Sequence, residues 1–255
     1  MTIDEAIRNA AGYQEQLEQA QAVIKEQERG SLPWRQSYLL ISEAKVMLNY
    51  YQGHEENGVH VPGMIQKLAH EAQRLKEASN LGERFSNRTF GNFDPRRDQN
   101  AFNVCRNYAN DEEIFNKKKN SLLILGGVGS GKTHLAAAIS NTLIDRGIPV
   151  LFSTYSEHLE RIREEYDKTG QKKHLSMMKN TPMLVLDDIG KERKNSWTQQ
   201  ILFDVVNYRY EHLLPVIITT NFDADGLANH CEQAVWSRLY EMSSAIETGG
   251  KDYRQ

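Results

Sequence analysis

The residues best suited to chemistry are eight in a row, Gly126-Gly127-Val128-Gly129-Ser130-Gly131-Lys132-Thr133. They fit the pattern Gly, four residues, Gly, Lys, then Ser or Thr. Glycines in such a loop let backbone N–H groups turn inward around an anion, and a helix starting behind it adds its positive end. Lys132 is placed to reach the β- and γ-phosphates of a nucleotide, and the Thr133 hydroxyl to ligate magnesium. His134 opens the following stretch and counts among the residues around the nucleotide.

Phosphate transfer also needs acids. Asp187 and Asp188 end the apolar run Met183-Leu184-Val185-Leu186, and ligands bind at the carboxyl ends of strands in open α/β sheets. Asp187 suits a magnesium partner, acting directly or through water. Asp188 suits a base that orients or deprotonates the attacking water. Adjacent acids in a loop are also common without any function. Asn221 ends another apolar run, where it either positions water beside the γ-phosphate or simply begins the turn Asn-Phe-Asp-Ala-Asp-Gly. Arg238, in Trp236-Ser237-Arg238-Leu239, is either a surface arginine or a finger reaching the γ-phosphate of a neighbouring subunit.

The elements that must position these groups alternate, as in a parallel α/β sheet. Strands are expected at 121–125, 150–154, 183–186 and 216–220, with a short last one near 244–247. Helices are expected from the phosphate loop to about 146, at 156–168, at 197–212 and at 232–242. Gly170-Gln171-Lys172-Lys173 reads as a loop. Residues 121–255 thus read as a phosphate-loop nucleotide-binding core, and 81–120 as a connector with one helix at 99–115. Phe85, Phe90 and Phe93 in the connector are expected to pack on that core; stacking on a base is the alternative.

Residues 1–80 differ. Helical spacing of apolar residues runs through 2–29, 34–51 and 64–79. Their 8 basic and 11 acidic residues give no cationic face. A small all-α domain is expected, its stripes packing internally or binding a partner.

Over the 255 residues, net charge is −3, so contact with nucleic acid must come from local patches. Arg161, Arg163, Lys168, Lys172 and Lys173 are the candidates for DNA, although Glu160, Glu164, Glu165 and Asp167 among them also suit a solvated helix. No apolar run is long enough to span a bilayer, so no membrane role is expected. The two cysteines, Cys105 and Cys231, lack metal-like spacing, and the N-terminus lacks the features of a secretory signal, which points to the cytoplasm. The Asn-Lys-x-Asp guanine signature is missing, which disfavours a GTPase.

The ordered set is similar to AAA+ ATPases: Gly126–Thr133, Leu184-Val185-Leu186-Asp187-Asp188-Ile189-Gly190, the connector Glu83-Arg84-Phe85 through Phe93, Ile218-Thr219-Thr220-Asn221, and Ser237-Arg238-Leu239. Within that class residues 82–255 resemble the DnaC/DnaI-type helicase loaders and the related IstB transposition ATPases. The resemblance implies a five-stranded parallel sheet of order 5-1-4-3-2, flanked by helices, with ATP and Mg2+ as cofactors. It matches Asp187 to the magnesium-side acid, Asn221 to the γ-phosphate sensor, Arg238 to the arginine finger and Arg254 to a second sensor. It also implies ATP-dependent self-association on single-stranded DNA, delivery of a hexameric helicase bound by residues 1–80, and a bacterial or phage-encoded origin. A transposase regulator is the first alternative and a small-molecule P-loop kinase the second. Asp188 stands where many AAA+ proteins carry Glu; being one methylene shorter, it suggests slow hydrolysis, which the resemblance implies is stimulated by DNA.

Overall fold

The computed structural model describes residues 77–249 apart from 112 and 170–172, together with 15, 18, 19, 22, 74 and 75. The chain divides into two units, Met1–Leu75 and Lys76–Gln255, and the second carries the site. The helices expected within 1–80 lie almost wholly outside the described residues, as do Arg254, Lys172 and the side chain of Lys168.

Unit two is built on the strands β1 (Ser121–Gly126), β2 (Val150–Thr154), β3 (Met183–Ile189), β4 (Val216–Thr220) and β5 (Ser243–Thr248). Their order is β2-β3-β4-β1-β5, and every pairing is parallel. This is the expected order, read from the other edge. Leu122 to Leu125 and Met183 to Leu186 are all buried, because a parallel sheet is covered on both faces. Edge strand β5 mixes buried and exposed positions instead, which is why its apolar signal in the sequence is weak.

The helices are α1 (Glu83–Ser86), α2 (Gln99–Asn110), α3 (Lys132–Asp145), α4 (Tyr155–Thr169), α5 (Lys173–Asn180), α6 (Ser196–Glu211), α7 (Ala224–His230) and α8 (Gln233–Met242). Helix α3 is buried nearly all round: Leu135, the three alanines 136–138 and Ile139 have no exposed surface. Small side chains let it lie close to the sheet on one side and α2 on the other. The Asp98 carboxylate caps α2 by accepting from the Ala101 N–H at 2.8 Å. Asn195 and Thr198 form a capping box that starts α6.

Two helices differ from expectation. The stretch expected as loop continues, after the undescribed residues 170–172, into α5, whose buried face is His174, Leu175 and Met178. The Asn-Phe-Asp-Ala-Asp-Gly turn leads directly into α7, capped by the Asp223 carboxylate on the Gly226 N–H at 2.7 Å. Both helices are short, so their periodic signal is weak.

One side chain fastens the base of the sheet. Arg209, on α6, has no exposed surface. Its Nη1 donates to the carbonyls of Met178 at 2.9 Å and Thr181 at 2.9 Å. Its Nη2 donates to Pro182 at 3.1 Å and also to Pro215. Pro182 and Pro215 immediately precede β3 and β4.

Candidate nucleotide site

The phosphate loop is shaped by close approaches that exclude a side chain. Gly126 has φ 138°, and a Cβ there would come within 2.4 Å of the Thr248 carbonyl oxygen. Gly131 has φ 97° at the start of α3, where a Cβ would meet the Phe93 ring at 2.9 Å. Phe93 is itself buried, stacked on Phe102 and set edge-on to His134 with centroids 5.2 Å apart. His134 Nε2 donates to the Thr89 carbonyl at 3.0 Å. Burial lowers the pKa of this imidazole, against the opposing pull of that hydrogen bond. The connector phenylalanines therefore pack on the core, and Phe93 backs the loop itself.

Ser130 adds a tie to the sheet edge. The Thr248 hydroxyl donates to the Leu125 carbonyl at 2.8 Å, so its one proton is used. Ser130 must then be the donor in the 2.6 Å bond to Thr248.

The predicted reactive side chains converge. Lys132, nearly buried, donates from Nζ to the Gly127 carbonyl at 2.7 Å and to Asn221 Oδ1 at 2.9 Å. The Thr133 hydroxyl lies 2.9 Å from Asp187 Oδ1. Residues from β1–α3, β3 and β4 thus meet at the carboxyl ends of the strands. Asp187 is 1% exposed. Burial raises its pKa, while hydrogen bonds from Thr219 and Thr133 oppose that rise.

Thr219 is a residue whose role sequence reasoning missed. Its hydroxyl donates to Asp187 Oδ1 at 2.6 Å and accepts the Asp188 N–H at 2.9 Å. It precedes Asn221 by two, and the two-residue repeat of a strand is the signal that would have found it. Asp188 has φ 58°, inside an irregularity where β3 carries one residue more than β4 between Leu186/Ile218 and Ile189/Thr220. The bulge turns successive acids apart. Asp187 faces Thr133, whereas Asp188 Oδ2 pairs with Lys191 Nζ at 2.5 Å.

The loop after β3 is fastened to α7. Glu192 accepts the Gly190 N–H at 2.7 Å and pairs with His230 Nε2 at 2.7 Å, both side chains nearly buried. On its outer side this loop borders an open groove of about 320 Å³, lined by Glu160, Arg163, Lys191, Arg193 and Trp197 among others. A second groove of about 520 Å³ shares Arg163, Asn195 and Trp197 and adds Tyr166. The Arg163 guanidinium lies over the Trp197 ring at 5.1 Å.

The other candidates are dispersed. Arg161 is bonded to Asn80 at 3.0 Å and Glu157 at 2.9 Å, and Lys173 starts α5 exposed. Arg238 donates to the Ala234 carbonyl at 2.8 Å and sits over the rings of Phe203 and Tyr210 on α6.

The donor set fits a nucleotide and a hard cation. The carboxylate and hydroxyl of Asp187 and Thr133 are the oxygens that Mg2+ takes, and the Gly126 and Gly131 positions leave space for backbone alone. Among the described residues no cluster of three or more His, Cys, Asp or Glu could hold a metal ion, and no helix is long and apolar enough to cross a membrane.

The sheet order and this site define an AAA+ ATP-binding domain of the P-loop class. More particularly, the chain belongs to the family of IstB-like ATP-binding proteins, whose family model matches residues 65–255. It is 31% identical over 201 residues to the phage-like element PBSX protein XkdC of Bacillus subtilis, covering 74% of each chain. It is 26% identical over 178 residues to the replicative helicase loader DnaC of Escherichia coli, covering 68% of this chain and 71% of that one. A crystal structure of the DnaC helicase loader superposes with TM-score 0.59 at 27% identity, covering 66% of this chain and all of that one.

Proposed function

We propose that this protein is an ATP-hydrolysing switch that delivers a replicative helicase onto single-stranded DNA. The observation that carries the reading is the meeting of Lys132 with Asn221 and of Thr133 with Asp187 at one strand end. Lys132 and the loop N–H groups hold the phosphates of ATP. Thr133 and Asp187 would hold Mg2+, which would offset the negative charge of the phosphates. Asp188 takes a proton from the attacking water as its oxygen bonds to the γ-phosphorus. The bond from that phosphorus to the β–γ bridging oxygen breaks, leaving ADP and phosphate. Asn221 senses the γ-phosphate, and Arg238 completes the site of a neighbouring copy.

The similarity to a protein named as a helicase loader supports the partner; residues 1–80 are the assigned helicase-binding part. The two adjoining grooves supply what a single strand needs, cations beside aromatic faces: Arg163, Lys191 and Arg193 with Trp197 in one, and Arg163 with Trp197 and Tyr166 in the other. Arg163 stays a DNA contact in this reading. The bonds of Arg161 to Asn80 and Glu157 favour a structural role for that residue. Regulation of a transposase is the second reading, favoured by the family model's IstB-like description.

The decisive measurement is ATP turnover with and without single-stranded DNA for wild type, Lys132→Ala and Arg238→Ala. DNA should stimulate wild type, both variants should be inactive, and mixing them should restore part of the activity. Normal turnover by Arg238→Ala, with no response to DNA, would overturn the shared-site switch. Capture of a transposase instead of a helicase by the full chain would favour the second reading.

A further inference from the structure

Lys191 belongs to two places at once. Its ammonium pairs with Asp188 Oδ2 at 2.5 Å, and the same residue lines the groove that holds Arg163, Arg193 and Trp197. Its side chain is 59% exposed and that of Asp188 21%. An ion pair this open to solvent contributes little to stability, so another anion exchanges for the carboxylate readily. The loop between is not free to drift. Glu192 is tied to the Gly190 N–H and to His230, and a Cβ on Gly190 would strike the Phe222 ring at 2.2 Å. Lys191 is therefore the one part of this loop that joins the reactive acid to the groove by a solvent-accessible bond.

We propose that Lys191 is a latch on Asp188, released when the phosphate backbone of single-stranded DNA enters the groove between α4 and the start of α6. Closed, the latch occupies the oxygen that would take a proton from the attacking water. Open, the ammonium turns to a DNA phosphate and leaves that Asp188 oxygen free to meet the water. The cations of the groove supply the pull, and Trp197, with Arg163 over its ring, gives a base a face to stack on. Lys191 is a positioning residue in this scheme; the group that meets the water is Asp188. The proposal rests on the assignment of Asp188 and of DNA made under Proposed function.

The experiment measures ATP turnover against oligo(dT) concentration, with ATP affinity and oligo(dT) anisotropy measured alongside. Lys191→Ala should raise DNA-free turnover about tenfold, toward the DNA-saturated wild-type rate. Added oligo(dT) should then stimulate it little, at unchanged ATP affinity. Lys191→Arg, which keeps a cation there, should restore a low basal rate and the response to DNA. If Lys191→Ala keeps the wild-type basal rate and the full DNA response, the latch is wrong. If Asp188→Asn turns over normally, or wild type does not bind oligo(dT), the underlying assignment fails instead, and the latch with it.

Discussion

The nucleotide site and the groove beside it share the loop after β3, yet they are built on opposite terms. In the site, polar groups satisfy one another around the buried Lys132, Asp187 and Thr219: Thr219 alone fixes one acid by its side chain and the next by its backbone. In the groove, cations stand in solvent and rest on aromatic faces, as Arg163 does on Trp197. The first arrangement stores its geometry before any ligand arrives and loses much when one atom is removed. The second is adaptable and loses little at any single position. Preorganisation suits chemistry at a fixed phosphorus atom, and tolerance suits a flexible strand of any sequence.

The comparison can be broken at four places, taken from the largest effect down. Lys132→Ala removes the cation from the phosphate loop; ATP turnover should fall by about 10²–10³-fold, as when one preorganised donor is deleted. Near-normal turnover would mean the site is not preorganised around this lysine. Thr219→Val keeps shape but leaves the Asp188 N–H without its hydroxyl, a loss of about 1–3 kcal/mol. The effect should fall on kcat more than on ATP affinity, and Thr219→Ser should recover most of it; equal loss in the serine variant would refute the hydroxyl's role.

Trp197→Ala tests the groove and should weaken oligo(dT) binding by about 1–3 kcal/mol while leaving DNA-free turnover alone. Fluorescence anisotropy reads the first quantity, and a change in the second instead would show that the two regions are one.

The smallest effect concerns α5, whose His174 donates to His158 at 2.9 Å beneath α4. Burial first, and the neighbouring His174, hold the His158 imidazole down to about 3, and burial also lowers His174. His158 is neutral in the fold and takes a proton on unfolding. Its contribution is whole above pH 6.5 and is lost as pH falls below it, by about 1 kcal/mol at pH 5.5, and the lowered His174 acts in the same direction. Denaturant melts at pH 7.5 and 5.5 should show the loss, and it should shrink in His158→Phe/His174→Leu.

Legibility in the sequence follows the same division. Glycine turns, strand-end acids and apolar strands are local features, so Gly126–Thr133, Asp187 and the strands could be read without coordinates, while the order of the sheet followed from the resemblance to AAA+ ATPases. Thr219, Thr248 and Lys191 act on residues from other elements or around a bulge, and nothing in their immediate neighbours marks them. Helices α5 and α7 were hidden because one turn or two of apolar spacing cannot be told from loop. The groove escaped for a different reason. Trp197 reads as core in its helix, and only the fold sets Arg163 above it.

Arg209 gives the sheet a fulcrum. By gripping the carbonyls of Pro182 and Pro215 together, one guanidinium pins the starts of β3 and β4 at a shared point. Their far ends, about 15 Å away at strand rise, carry the acids and Asn221. Any nucleotide-driven shift of those ends must then be a pivoting of two arms about a fixed pin. A slide of one strand past the other would have to unthread the guanidinium first.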